Sequence, residues 1–199
     1  MNMFIFLLPL ICIFLIGLIV ISVTNNFSRQ SLLNKLGFAY GIGVGCVTVQ
    51  MMFYSFLHIG WNPFSILLPW FLLGVVTFIK KSKMQLQIIL PSAKIDFLLL
   101  AGIICSSFFV LFEALIRPLS AWDGWSHWFL HGKAFYILGY IDPQYLISVN
   151  NAYPPLMNLL ITFSYIVTGG IHEQAAIFLY AWFYVALLLI VGYMVSKQL

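Results

Sequence analysis

The stretch MFIFLLPLICIFLIGLIVISV, residues 3–23, decides the fold class. It runs for about 20 residues without a charge, and at ~1.5 Å per helical residue that is enough to cross roughly 30 Å of hydrocarbon. A cleaved leader would carry a basic region before the apolar run and small residues after it. Here no basic residue precedes the run, and Val23 is followed by Thr24-Asn25-Asn26-Phe27. The run therefore reads as a retained membrane helix.

The rest of the chain has the same character. Of its 199 residues 63% are apolar and 7% charged, with a mean hydropathy of +1.04, whereas a soluble domain carries about 25% charged residues. No water-facing surface can be built from such a sequence, so a lipid bilayer is its expected surroundings. The net charge of +4 does not indicate nucleic acid, because the Lys and Arg residues are scattered or sit beside apolar spans, as membrane charge bias places them. Cys12, Cys46 and Cys105 all lie inside apolar runs. They read as small apolar fillers rather than a disulfide framework or a thiolate metal cluster.

Six hydrophobic spans are expected: residues 3–23, 36–57, 63–79, 95–116, 154–170 and 174–196. The third opens at Pro63, which a helix tolerates in its first turn. In the second, Gly37, Gly41 and Gly45 recur every four residues and read as a close-packing surface. A nucleotide-loop reading of Gly41, Gly43 and Gly45 lacks the preceding strand and the phosphate-binding lysine. The fold class is thus all-α integral membrane, with about six transmembrane helices. A three-helix segment (1–94) precedes a membrane core (95–199) that contains one long outer loop (117–153).

Arg29 and Lys35 share one connection, and Lys80, Lys81, Lys83 and Lys94 share another. With six crossings these fall on one side, which the positive-inside rule makes cytoplasmic. The other side holds Arg117, Lys133 and Lys197, and the 117–153 loop faces outward. On that reading the Asn26-Phe27-Ser28 sequon is cytoplasmic and is not glycosylated. Asp96 opens the fourth span, where a helix N-terminus favours negative charge. Glu113 lies one turn from the end of that span, and intramembrane carboxylates tend to be functional. Glu173 sits in a short turn and is expected to be solvated.

The outer loop contains AWDGWSHWFLHGKAFYIL, residues 121–138. At ~100° per residue Trp122, Trp125, Trp128, Phe129, Phe135 and Tyr136 fall within an arc of roughly 140°. Asp123, Ser126, His127, His131 and Lys133 fall on the other half. Trp and Tyr favour the membrane boundary, so a helix with an aromatic and a charged face should lie in the interface plane. Asp123 comes soon after Arg117-Pro118, which holds it at headgroup depth, and Tyr153-Pro154-Pro155 stiffens re-entry into the membrane. Asp123, His127 and His131 also share the spacing of a metal site. No further ligand is apparent, so an interfacial polar face is the preferred reading, and a divalent metal is a minor alternative to no cofactor.

Trp122-Asp123-Gly124-Trp125-x2-Trp128, Lys133-Ala134 and Tyr153-Pro154-Pro155-Leu156 resemble membrane glycosyltransferases of the GT-C fold. The likeness is to bacterial relatives of the polyprenyl/dolichyl-phosphate-mannose protein mannosyltransferases, and it covers roughly residues 115–165. In that family the first large outer loop carries an essential Asp, with a helix lying along the membrane after it. The resemblance implies transfer of a sugar from a polyprenyl-phosphate donor to an acceptor hydroxyl on the outer face of a bacterial plasma membrane. It makes Asp123 the general base. Lys133 matches the family pattern loosely, and Arg117 is added from its position; either would neutralise the departing phosphate. The expected substrate contacts are Lys133, Arg117, His127, His131 and Tyr153. Members of the family generally have more than six spans, so the chain is expected to be a fragment or to need a partner chain to complete the site. A transporter or channel subunit using Glu113, Asp96 and the glycine-rich span, and a non-catalytic membrane scaffold, are the competing readings.

Overall fold

The structure, a computed structural model, describes residues 4–24, 32–80, 94–141 and 155–198. Among these every regular element is helical: α1 (Phe4–Thr24), α2 (Leu32–Phe56), α3 (Pro63–Lys80), α4 (Lys94–Ile116), a π-helical turn (Gly124–Trp128) running into α5 (Phe129–Leu138), α6 (Leu156–Thr168) and α7 (Glu173–Gln198). Five of them, α1 to α4 and α7, are long and apolar enough to cross a membrane. The chain is an all-α membrane protein.

α1, α2 and α7 form the centre. α1 and α2 run antiparallel in close contact because two glycines remove the side chains at their crossing. A β-carbon on Gly17 would stand 1.8 Å from the Ala39 carbonyl oxygen, and one on Gly43 would stand 2.1 Å from that of Ile13. Gly37 meets Ala186 and Ile190 of α7 in the same way. Close packing of small residues drives helix association where lipid supplies no hydrophobic force between helices. The expected stripe was different: Gly41 and Gly45 face open space, and the working glycines are Gly17, Gly37 and Gly43. Tyr40, fully buried, donates its hydroxyl hydrogen to the Leu179 carbonyl at 2.5 Å and packs edge-on against Phe183.

α3 leans on α1 and α2, α4 leans on α7, and both turn most of their surface outward. Polar side chains between α2 and α3 find partners inside the bundle, as an apolar solvent favours. Gln50 accepts a hydrogen bond from Trp70 Nε1 at 2.6 Å and donates to the Ile66 carbonyl at 3.1 Å. Asn62 and Ser65 form a reciprocal cap at the start of α3, with bonds of 2.8 and 3.0 Å, which satisfies two orphan amides of the first turn.

The fifth expected span differs from expectation. It forms a helix of 13 residues, only about 20 Å long, and it does not reverse the direction of the chain across the bundle. α4 and α7 are antiparallel neighbours: Gln174 reaches the Ala114 carbonyl at one end, and Gly192 packs on Ile103 towards the other. α7 therefore starts at the end where α4 finishes. α6 ends at that same end, because only the turn Gly169–His172 separates it from α7. Gly169 takes the left-handed conformation (φ 72°), and the amides of Gly169 and Gly170 bond back to Ile166 and Tyr165, the glycine stop that ends many helices. At its other end the Met157 carbonyl accepts from Tyr180 at 2.9 Å, seven residues into α7 and so about 10 Å below its start. α6 is a short helix set into one half of the bundle. Five of the described helices are long and apolar enough to cross, and Lys197, near the end of α7, lies at the same end of the bundle as Lys35.

Candidate functional site

The end of the bundle where α4 finishes and α7 begins carries the π-turn and α5. The preceding segment is tied down by Gln174, which donates to the carbonyls of Ala114 and, at 3.0 Å, Arg117. At the other end of α5 Gly139 adopts φ 77° and closes the helix on the Phe135 carbonyl at 2.9 Å. Its own carbonyl accepts from the Trp61 amide at 3.2 Å, and the Ile141 amide donates to Ser55 Oγ at 2.8 Å. α5 is thereby fixed from the end of α4 to the turn between α2 and α3. It lies across the bundle rather than along it.

Below α5 lies α6. Gly132 sits on Ile161, and the Thr162 hydroxyl donates to the Gly132 carbonyl at 3.1 Å. Phe129, Ile161, Tyr165 and Ala176 form a buried cluster, with Leu119, Trp128 and Tyr136 packed against it. Asn158, Thr162 and Tyr165, all buried, recur at helical spacing on α6. Sequence reasoning missed this polar stripe, for which a spacing of four and three residues inside an apolar run was the available signal.

The π-turn corrects the helical-wheel reading. The Phe129 amide bonds to the Gly124 carbonyl five residues back, one more than in an α-helix. One extra residue rotates the side chains before the turn by about 100° relative to those after it. The expected aromatic arc is therefore split: Phe129 and Phe135 are buried, while Trp122 and Trp125 are 66% and 50% exposed. The expected wet face is split as well. His131 is only 4% exposed and stacks on Phe135 at 6.3 Å. Burial pushes its imidazole pKa below the ordinary value, and the nearby His127 pushes the same way. His127 is half-buried.

Asp123 is exposed, at the start of the π-turn, with an ordinary helical backbone (φ −61°, ψ −31°) and no side-chain cap bond. Among the described residues it has no ion-pair partner. Arg117 is exposed and bonds Glu113 at 2.7 Å, one turn back. Glu113 is thus one half of an ion pair at the bundle's end rather than a lone intramembrane acid. Lys133 forms an ion pair with Glu173, which ties α5 to the start of α7 and makes Glu173 a partner rather than a merely solvated turn residue. Tyr153 lies outside the described residues. No group of three or more His, Cys, Asp or Glu that could hold a metal ion occurs among the described residues.

One end of the molecule therefore brings together Asp123, Arg117, His127, His131 and Lys133, but on different levels. Asp123 and Arg117 are exposed, Lys133 and His127 are half-buried, and His131, within α5, is buried. Comparisons with family models, with curated proteins and with solved structures each find no match to this chain.

Proposed function

We propose that the chain forms the outer face of a lipid-linked sugar transferase of the GT-C kind, whole or in part, with Asp123 as its general base. The observation that supports this most is an exposed carboxylate on a helix clamped across one end of a membrane bundle, with two cation-bearing ion pairs at that same end. In the reaction the Asp123 carboxylate takes the proton of an acceptor hydroxyl as its oxygen attacks the anomeric carbon. The bond from that carbon to the carrier phosphate breaks, and the phosphate leaves with the electron pair.

Arg117 and Lys133 are the groups suited to receive that phosphate. Exposed ion pairs are worth ~0–1 kcal/mol, so exchanging Glu113 for phosphate oxygens at Arg117 costs little. The charge-assisted bonds to phosphate are at least as strong. The basic residues favour an outward orientation for this end, in a bacterial plasma membrane. A partner chain that completes the donor site belongs to the same reading.

The test uses membranes containing the full-length protein and a radiolabelled polyprenyl-phosphate sugar. Asp123→Asn should lower transfer by roughly 10²-fold or more, the usual contribution of a general base, with unchanged thermal unfolding. Lys133→Ala should weaken donor binding more than it alters stability. Transfer by Asp123→Asn at the wild-type rate would remove the proposal.

A further inference from the structure

The Lys133–Glu173 ion pair lies beside a hydroxyl that makes no hydrogen bond. Tyr165, on α6, is fully buried, and its Oη has no partner. A hydroxyl shut away from water in that state is costly. Its neighbours are better served: Thr162 donates to the Gly132 carbonyl at 3.1 Å, and Tyr180 to that of Met157 at 2.9 Å.

Packing sets Tyr165 between the two helices that the ion pair joins. Its ring meets that of Tyr136 edge-on, with centroids 5.8 Å apart, and Tyr136 is about one turn on from Lys133 in α5. On its other side it shares a buried cluster with Ala176, about one turn on from Glu173 in α7. The charge of Glu173 reaches the Tyr165 hydroxyl. Asn158 Oδ1 is also buried and unpartnered on α6, but an amide oxygen only accepts and has nothing to offer a carboxylate.

Lys133 and Glu173 keep 35% and 37% of their side chains exposed, so their pair is half-buried. A phosphate that takes Lys133 away leaves the Glu173 carboxylate without its cation in that setting. Removing one partner from a buried pair is the costly way to break it. A nearby donor offsets that cost. Glu173 is the first residue of α7, where the helix N-terminus favours its charge. Tyr165 supplies a hydrogen bond, and bonds to an ionised acceptor are the strong kind.

We propose that Glu173 is an internal stand-in for a phosphate: it holds Lys133 in the absence of ligand and passes to the Tyr165 hydroxyl when a phosphate ester arrives. The ammonium group stays paired, and α5 stays tied to α7, until the ligand is there to replace the carboxylate. Tyr165 keeps its proton throughout and acts as a positioning residue, since it touches Glu173 and not the ligand. The proposal rests on the phosphate-receiving role given to Lys133 above and not on catalysis by Asp123.

The test is calorimetric titration of farnesyl phosphate into the full-length protein in phosphatidylcholine nanodiscs, with farnesol as the control that lacks the phosphate. Glu173→Gln removes the internal competitor and should tighten binding about fivefold. Tyr165→Phe removes the second seat and should weaken binding about tenfold, the worth of a hydrogen bond to a charged group. Thermal unfolding of the ligand-free Tyr165→Phe protein should be unchanged or higher, because the lost hydroxyl has no partner there. The double variant separates this role from a packing role: Glu173→Gln/Tyr165→Phe should bind as Glu173→Gln does. Equal binding by Tyr165→Phe and wild type overturns the proposal. So does the same tenfold loss in the Glu173→Gln background, or binding of farnesyl phosphate no tighter than that of farnesol. Failure of the transferase reading is separately visible. If Asp123→Asn leaves sugar transfer intact while Tyr165 and Glu173 remain coupled in farnesyl phosphate binding, the exchange stands and the catalytic assignment falls.

Discussion

Replacing Gly132 by alanine measures how tightly the helix after Asp123 is held. Gly132 lies where α5 rests on α6, and a β-carbon there would stand 2.5 Å from Ile161 Cγ2 and 2.8 Å from Ile161 Cβ. Ordinary van der Waals contact begins near 3.4 Å, so α5 has to lift by roughly 1 Å or deform. Ile161 cannot yield instead, because it is fully buried among Phe129, Tyr165 and Ala176. Overpacking of this sort costs ~1–3 kcal/mol, and the better helix propensity of alanine returns up to ~1 kcal/mol. A net loss of about 1–2 kcal/mol is the expected result. It should be concentrated in α5, whose bond to Thr162 and ion pair to Glu173 stretch with the same motion. Hydrogen–deuterium exchange of the nanodisc-embedded protein should show faster exchange in residues 129–138, with the α1–α2 core unchanged. The double variant Gly132→Ala/Ile161→Ala removes the clashing methyl and should be less unstable than the two single losses added together. Unaltered exchange in α5, or strict additivity, would refute this account of the contact.

The same geometry sets three other outcomes. Gly43→Ala brings a β-carbon to 2.1 Å from the backbone of α1, so it should destabilise more than Gly132→Ala, whereas Gly41→Ala faces open space and should be neutral or slightly stabilising; thermal unfolding in mild detergent compares the two. His131 is buried, and its pKa is lowered by that burial and by the nearby His127. The unfolded chain therefore takes up the proton first as the pH falls below about 6.5. Stability present at neutral pH is lost progressively on acidification, and unfolding measured from pH 8 to 5 should show a slope that His131→Phe reduces. Finally, single cysteines placed at Ser120 and Gln198 in a background without the native three should label from opposite membrane faces; labelling from one face would refute five crossings.

The spans were legible because length and composition alone decide whether a helix suits hydrocarbon. α1, α3, α4 and α7 fall within two residues of their expected bounds, and α2 begins one turn earlier than expected. The parts that were not legible turn on single-residue events. Gly124-Trp125-Ser126-His127-Trp128 has no composition that distinguishes a π-turn from an α-turn, yet that turn re-aims every side chain before Phe129. His131 looked wet because a constant step of 100° carries Asp123 and His131 onto one face. The polar stripe Asn158, Thr162 and Tyr165 shows in the sequence as a spacing of four and three residues, but its place under α5 is a contact between two helices that no local pattern carries. The span at 154–170 was apolar enough to cross. Only the packing of Gln174 on the end of α4 shows that α7 starts where α4 stops.

That last contact also changes the charge balance on which the orientation depends. With six crossings Lys197 would stand beside Arg117 and Lys133. With five it joins Lys35, Lys80 and Lys94 at the opposite end, and the bias that the positive-inside rule uses becomes larger. The two cations left at the Asp123 end are each paired with a carboxylate. Their charges cancel locally and leave Asp123 as the uncompensated charge among the described side chains of that end. An anionic lipid phosphate approaching this surface has to displace Glu113 or Glu173, whereas a neutral sugar meets the carboxylate directly. On the proposed transferase reading the surface would receive two chemically different ligands in different places, the phosphate at the ion pairs and an acceptor hydroxyl at Asp123. A transferase that joins a lipid-borne donor to a separate acceptor requires that division.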